Sequence, residues 1–185
     1  ILGPSVFTDA AGIYSHGSLA EGQYEFLAKA AGYAQAVQLG IEVAAGKPRQ
    51  QVDFRLNAGG SQPGKVVQEV NGKDEPVAGA TVQMQGKLAD AQGKVAELAR
   101  YYQTCTSGPD GAFEALHIPY NNSVSCWAEP MGMDPMDMEL ASMDSGFIKK
   151  VGIRLSKGSP SARITLRLPE TGMILGRVVN PEKKP

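Results

Sequence analysis

The amino-acid sequence predicts an all-β fold with two tandem β-sandwiches. Apolar and polar residues alternate in short runs such as 52–56 and 164–168, which is the period of half-buried strands. The 22 glycines and 12 prolines fall largely in turn signals between such runs, as at residues 109–111. The chain also repeats itself, because residues 40–64 align without a gap with residues 152–176. Short strands, frequent turns and an internal repeat are together typical of tandem sandwiches.

The repeat sets the predicted domain boundaries. The second copy of the repeat covers residues 61–169 and is expected to form a complete sandwich with two insertions. The first copy is split across the ends of the sequence, since residues 172–185 followed by residues 1–58 match the second copy in order. We therefore expect residues 1–58 to form a sandwich that lacks its first strand. Residues 172–185 would supply that strand to an adjacent subunit, or to the next repeat of a continuous polypeptide.

The predicted assembly interface consists of the apolar residues near the two ends of the sequence. Exposed strand edges require pairing, and an added strand contributes main-chain hydrogen bonds along its length. A head-to-tail contact that does not close on itself produces an open filament, so the expected partner is the chain itself, as a homopolymer or repeat array. The interface residues are Ile1, Leu2, Val6, Ile174, Leu175, Val178 and Val179.

The individual elements follow from the turn signals and the alternation. In the first copy a turn at residues 9–12 precedes strands predicted at 24–28, 41–43 and 52–56. In the second copy the equivalent features are a turn at 107–111 and strands at 124–128, 153–155 and 164–168.

Two insertions distinguish the second copy from the first. One lies between residues 82 and 105, where the apolar positions fall near helical spacing and a hairpin that turns near residues 90–93 fits about as well. The other spans about residues 134–150 and, with its N-terminal flank, is rich in methionine. Its acidic residues Asp134, Asp137, Glu139 and Asp144 are weak candidates for a calcium site. Their spacing matches no calcium loop, so we favour a loop that packs on the sandwich or on a neighbouring subunit.

The two cysteines, Cys105 and Cys126, are expected to point inward on nearby strands. A disulfide and a pair of buried thiols are both compatible with the sequence, and a disulfide would indicate an oxidising, extracellular setting. The two histidines, His16 and His117, are interpreted as ordinary turn and strand residues, because neither metal-ligand spacing nor a nucleophile motif accompanies them.

Trp127 is the candidate ligand contact or interface anchor. It follows Cys126 directly in a predicted strand, so its side chain is expected on the opposite, outer face. An outward tryptophan serves either as a platform for a ligand such as a sugar ring or as an anchor in a protein interface, and we favour the interface.

Composition excludes several classes of function. The net charge is −1 with no clustered basic residues, so nothing supports nucleic-acid binding. No apolar run approaches the roughly 20 residues of a membrane-spanning helix. Phosphate loops, dinucleotide fingerprints and catalytic triads are also missing from the sequence, and we therefore expect no enzymatic activity and no cofactor.

The motif pattern of both copies resembles a known family. Gly-x-Val, Pro-Val-x-Gly-Ala-x-Val, an Asp-x-x-Gly turn followed by an aromatic residue, and Ala-x-x-Gly-Tyr are similar to the carboxypeptidase regulatory-like domain, in the wider transthyretin-like and collagen-adhesin B-type group. The residues that carry the resemblance are Gly64, Val66, Pro76, Gly79, Ala80, Val82, Gly111, Phe113 and Ile118 in the second copy, and Thr8, Asp9, Gly12, Tyr14, Leu19, Gly22, Tyr24, Gly32 and Tyr33 in the first.

The resemblance implies an Ig-like, Greek-key sandwich of seven strands with a structural rather than catalytic role. Such modules serve as spacers, stalks and adhesin segments, which suggests a location outside the cell or on its surface, in a bacterium or archaeon. We therefore expect the repeat unit of an extracellular filament, stalk or giant surface protein, joined head to tail by donor-strand complementation or by covalent repetition. The alternative is an adhesin, or a carbohydrate- or protein-binding module appended to a larger protein.

Overall fold

The computed structural model describes residues 5–46, 51–129 and 149–168, and across these ranges it contains strands and no helix. The all-β prediction is confirmed. No helix in this part of the chain is therefore long and apolar enough to span a membrane. The strands are β1 (Gly22–Ala28), β2 (Ala36–Val43), β3 (Gly60–Val70), β4 (Lys73–Pro76), β5 (Thr81–Ala89), β6 (Val95–Thr106), β7 (Ala112–Ile118), β8 (Val124–Glu129), β9 (Val151–Ile153) and β10 (Ile164–Arg167).

Strands β3 to β10 form a β-sandwich, as the sequence predicts for the second copy. One sheet has the order β10-β3-β4, with β7 also paired to β3, and the other has the order β6-β5-β8-β9. The two sheets share one buried apolar cluster, to which Val66 and Leu166 contribute from the first sheet and Val82 and Met84 from the second. Alternation along each strand places these side chains inside because successive residues of a strand face opposite ways.

The first insertion of the second copy forms the hairpin of β5 and β6, so the hairpin alternative is confirmed and the helical one is wrong. The backbone N–H of Asp90 donates to the carbonyl oxygen of Lys94 at 2.9 Å, which closes the turn. The Asp90 carboxylate accepts from the N–H groups of Gln92 and Lys94 at 3.0 and 2.8 Å. Gly93 supplies a positive φ of 82°. Aspartate and glycine thus favour a tight turn where helical spacing alone suggested a helix.

The first copy contributes a separate two-stranded sheet. Strands β1 and β2 pair antiparallel, and the described residues before β1 and between β2 and β3 carry no strand. Val37 of β2 joins the buried cluster of the sandwich, with Leu27 and Leu39 packed against it. The first copy is therefore a hairpin on the sandwich here, and its predicted second sandwich stays a prediction.

Local geometry repeats between the copies where the sequence repeats. In the first copy the N–H of Asp9 donates to the carbonyl of Ile13 at 2.8 Å, and in the second the N–H of Gly108 donates to that of Ala112 at 2.7 Å. The equivalent glycines, Gly12 and Gly111, adopt φ values of 78° and 75°. These matched turns occupy the positions that the alignment equates.

The ladders repeat as well. Tyr24 of β1 pairs with Ile41 of β2, and their counterparts, Val124 of β8 and Ile153 of β9, pair with each other. The β1-β2 hairpin is therefore the first-copy equivalent of the β8-β9 ladder.

Gly64 is the point of closest approach inside the sandwich. It pairs with Phe113 of β7, and a Cβ atom at this position would overlap the aromatic ring. The ring therefore lies directly over the backbone of β3, which only glycine allows.

We predict that Gly64→Ala lowers the free energy of unfolding by about 1–3 kcal/mol, because Phe113 must leave its packed position. Urea denaturation followed by Trp127 fluorescence measures this. Gly152→Ala is the matched control, since nothing lies within 4 Å of the Cβ it would add. Equal stability losses in the two variants would contradict the role assigned to the Phe113 ring.

Candidate assembly interface

Strand β3 is central to the first sheet because it is paired along both of its edges. On one edge its N-terminal half pairs with β7 and its C-terminal half pairs with β4, both antiparallel. On the other edge it pairs in parallel with β10. Gly64 is opposite Phe113 on one side and Ile164 on the other. Without β3, neither β7 nor β10 would have its ladder partner in this sheet.

The first copy contains the sequence counterparts of β7 and β10 but no strand between them among the described residues. Residues 13–19 correspond to β7 and residues 52–55 correspond to β10, and neither segment is assigned as a strand. The counterparts of β8 and β9 do form strands, because they pair with each other as β1 and β2. The counterparts of β8 and β9, which pair with each other, are thus strands, whereas the counterparts of β7 and β10, whose partner in the second copy is β3, are not.

The inward positions of the first copy are less buried than their counterparts in the second. Val6 is 42% exposed, whereas its counterpart Val82 is fully buried. Tyr14 and Phe54 are half-buried, whereas their counterparts Phe113 and Leu166 are buried. Each first-copy side chain thus keeps apolar surface that a covering strand would remove from water.

The Tyr14 side chain connects the counterparts of β7 and β10. The Tyr14 hydroxyl donates a hydrogen bond to the backbone carbonyl of Val52 at 2.5 Å. These two residues correspond to Phe113 and Ile164, which flank Gly64 in the second copy. The unpaired segments are thus held near each other, with a phenol group between them.

A carboxylate fastens the β1-β2 hairpin to the sandwich. Glu25 of β1 accepts from the backbone N–H groups of Glu97, Leu98 and Ala99 in β6, at 2.6, 2.9 and 2.9 Å. Partial burial raises the pKa of the Glu25 carboxyl, but the three N–H donors, helped by Arg100, outweigh it and hold the pKa below its usual value. The sequence contains no signal for this contact, because it joins residues more than seventy positions apart.

Most of the predicted interface residues lie outside the described residues. Val6 is the exception, and it is exposed, as an unpaired interface position would be. Exposed apolar neighbours extend this surface, since Phe7 is 93% and Ile13 is 66% exposed. The positions outside the described ranges are Ile1, Leu2, Ile174, Leu175, Val178 and Val179.

The two cysteines are free thiols on strands that flank β5. Val82 of β5 pairs with Cys105 of β6, and Met84 pairs with Cys126 of β8. Two strand spacings alone place the cysteine backbones about 9–10 Å apart across the sheet, and the offset of two residues along β5 adds to this, whereas a disulfide needs Cα atoms within roughly 7 Å. Both cysteines point inward as expected, since Cys126 belongs to the buried cluster and Cys105 packs against it, but this sheet order does not allow the disulfide. Burial raises the pKa of both thiols, and that of Cys126 reaches about 12, with the nearby Cys105 adding to the rise.

Trp127 lies on the outer face of its sheet but is not open to solvent. It pairs with Gln83, which alternates with the inward Val82 and Met84. The residue is only 8% exposed. The indole N–H donates to the buried Glu129 carboxylate at 3.1 Å, and the Lys150 ammonium lies 4.9 Å from the ring centroid. The expected direction is correct, but the burial disfavours an open ligand platform.

Nothing in the described ranges forms a group of three or more histidine, cysteine or acidic side chains able to hold a metal ion. The candidate ligands Asp134, Asp137, Glu139 and Asp144 lie outside those ranges, so the calcium site stays a prediction.

The histidines differ in their surroundings. His117 has its ring Nδ1 2.9 Å from the carbonyl of Ala58, so this nitrogen donates and ties β7 to the segment that leads into β3. It also lines an open cleft of about 430 Å³ with Tyr120 and several serines. The His16 ring Nδ1 lies 3.0 Å from the backbone carbonyl oxygen of the neighbouring Gly17. Both contacts are structural.

Comparison with known proteins adds little to this geometry. No protein-family model matches the chain. No curated protein matches it either. Among solved structures the chain is similar to a variant of BcpA, the major pilin subunit of Bacillus cereus, with 14% sequence identity and a TM-score of 0.33. That alignment covers 59% of this chain and 30% of the pilin, so the chain spans less than a third of that protein.

We predict that Glu25→Ala loosens the β1-β2 hairpin, lowering the free energy of unfolding by about 1–3 kcal/mol, because three backbone N–H groups lose a charged acceptor. Since the folded-state pKa of Glu25 is depressed, its contribution is present above the unfolded pKa and is lost as the pH falls through the folded pKa. Hydrogen exchange at residues 97–99 and urea denaturation at neutral and acidic pH measure this. Glu42→Ala, an exposed position on β2, is the control. Unchanged exchange at residues 97–99 in Glu25→Ala would contradict the contact.

We predict two free thiols that stay unreactive in the folded protein at neutral pH, because burial raises both pKa values. A thiol reagent such as dithionitrobenzoate should react slowly with native protein and quickly after denaturation, with Cys126 the slower in the native state. Cys105→Ser and Cys126→Ser separate the two signals. An intact mass that rises on reduction would instead indicate a disulfide.

Proposed function

We propose that this chain is a non-catalytic structural repeat unit that joins its neighbours head to tail at or outside the cell surface. Each unit lends a strand from residues 172–185 to the first copy of the next unit. The completed first copy would then become a second sandwich. The same junction arises between separate subunits or between consecutive repeats of one polypeptide.

The observation that carries this proposal is the central position of β3. In the second copy β3 joins β7 and β10, and in the first copy the counterparts of β7 and β10 have no strand between them in the described residues. The residues that correspond to β3 in the first copy are those from 172 onward. Buried backbone polar groups and strand edges need partners, so a strand of that sequence is the natural complement.

The composition of the donor segment supports this role. Val178 and Val179 correspond to Val66 and Val67, which are both buried in the sandwich. Ile174 corresponds to Gln62, which is also buried. In a strand Ile174 and Val178 share one face with Gly176, and this is the face that would dock on the half-buried Tyr14 and Phe54. Val179 would face the other way, as Val67 does.

A binding module is the less favoured alternative. Its support is the outward Trp127 together with the two insertions. Trp127 is buried, with Glu129 and Lys150 beside its ring, the first insertion forms the β5-β6 hairpin, and the second lies outside the described residues.

Deletion of residues 172–185 tests the proposal. We expect the full chain to form oligomers or filaments with rising concentration, and the truncated chain to remain monomeric, as measured by sedimentation velocity and electron microscopy. The sandwich of residues 60–168 should keep its urea transition, because β3 to β10 all lie before the deletion.

Two further measurements sharpen this test. A synthetic peptide of residues 172–185 should bind the truncated chain and inhibit assembly of the full chain, since it occupies the acceptor. Lys183→Ala with Lys184→Ala is the control and should assemble normally, because these residues follow the apolar stretch. Assembly of the truncated chain at the level of the full chain would refute the proposal.

A further inference from the structure

We infer that the donor strand belongs to a second copy of this chain and docks in one register, with Gly176 beneath the Tyr14 ring and Arg177 beside Asp53. This inference rests on the proposed strand donation and adds the identity of the partner and the alignment of the contact.

The register follows from transferring the β3 ladders to the first copy. In the second copy Gly64 is opposite Phe113 in the antiparallel ladder and opposite Ile164 in the parallel ladder. The repeat equates Gly64 with Gly176, Phe113 with Tyr14, and Ile164 with Val52. The donor strand therefore runs antiparallel to residues 13–19 and parallel to residues 52–55, with Gly176 between Tyr14 and Val52.

The structure already brings the two flanking residues together. The Tyr14 hydroxyl bonds to the Val52 carbonyl at 2.5 Å, across the position that Gly176 would occupy. Docking breaks this bond and replaces it with backbone pairing on both sides. The second copy has Phe113 at the Tyr14 position, so the hydroxyl is not needed in the completed sheet.

Glycine restricts the alignment. A Cβ at Gly64 would overlap the Phe113 ring, and the same approach by Tyr14 requires a residue without a side chain. A slip of one residue turns every inward side chain outward, and a slip of two places Ile174 or Val178 under the ring. Gly172 could take this place only after a slip of four residues, which would separate Arg177 from Asp53.

Charge provides the second fixed point. Lys65 is opposite Thr165 in the parallel ladder, and their first-copy counterparts are Arg177 and Asp53. Asp53 is exposed between the half-buried Val52 and Phe54, so it lies on the outer face, where a cross-strand ion pair can form. The second copy has no such pair at this position. This contact therefore favours the tail of the same kind of unit over an unrelated β-strand.

The first test changes the glycine. Gly176→Val should weaken assembly about ten- to hundredfold in sedimentation velocity, because the new side chain meets the Tyr14 ring. Asn180→Val is the matched control, since its counterpart Gln68 pairs only with β4 and lies beyond the ring. Tyr14→Phe should assemble normally. If Gly176→Val assembles as strongly as the wild-type chain, the proposed register is overturned. Strand donation itself would still be upheld if the chain truncated at residue 171 fails to assemble.

The second test exchanges the charges. Arg177→Asp and Asp53→Arg, each alone, should weaken assembly about tenfold, because attraction becomes repulsion. A mixture of the two variants should recover, since each junction between unlike chains pairs opposite charges. If the tail instead docks on its own chain, the doubly substituted chain should restore the Arg–Asp contact while staying a monomer, and the mixture of single variants should not restore it. That result would overturn the second copy as partner. Failure of both to recover would overturn the Arg177–Asp53 contact.

Discussion

The backbone pairing of one strand governs the rest of this structure. Strand β3 uses its hydrogen-bonding groups on both edges, and the first sheet of the sandwich exists because β7 and β10 meet it there. Hydrogen bonds of this kind are modest in net energy, but unpaired backbone groups in a dry interior are costly. A sheet that loses its middle strand therefore cannot keep its outer strands in place. Among the described residues the two copies differ in this respect, since β7 and β10 meet β3 and their first-copy counterparts carry no strand.

The packing around Gly64 makes the pairing specific. Most residues of a strand tolerate substitution by residues of similar shape, but the Phe113 ring rests on the β3 backbone itself. Backbone pairing alone would permit slipped alignments, because every residue offers the same N–H and C=O groups. An aromatic ring that accepts only glycine beneath it removes that freedom. A small residue thus contributes more to register than the large apolar residues beside it.

Local sequence signals account for most of the fold, and contacts distant in sequence account for what they missed. Alternation and turn residues predicted β1, β2, β8 and β10 and overlapped β9, whereas the strand predicted at residues 52–56 is wrong, because those residues carry no strand. Asp90 and Gly93 are the turn residues that made a hairpin as good a fit as a helix. The outward direction of Trp127 followed from its neighbour Cys126, but its burial depends on Glu129 and Lys150, which no periodicity relates to it.

Cys105 and Cys126 could not be assigned as thiols without the strand order, since adjacent strands would have allowed a disulfide. The Glu25 contact could not be predicted either, because nearly every residue has a backbone N–H group and the sequence of residues 97–99 therefore does not identify them as its partners.

The parallel pairing of β3 with β10 also determines how the sandwich responds to tension. These strands begin and end the second copy, so a pull applied at its two ends enters at Gly60 and leaves near Leu168. Because the strands run in the same direction side by side, such a force slides them along each other, and the ladder hydrogen bonds share the load. Antiparallel neighbours pulled from one end would instead open one bond at a time. The sandwich is thus connected in shear, the geometry in which a β-sheet resists extension best.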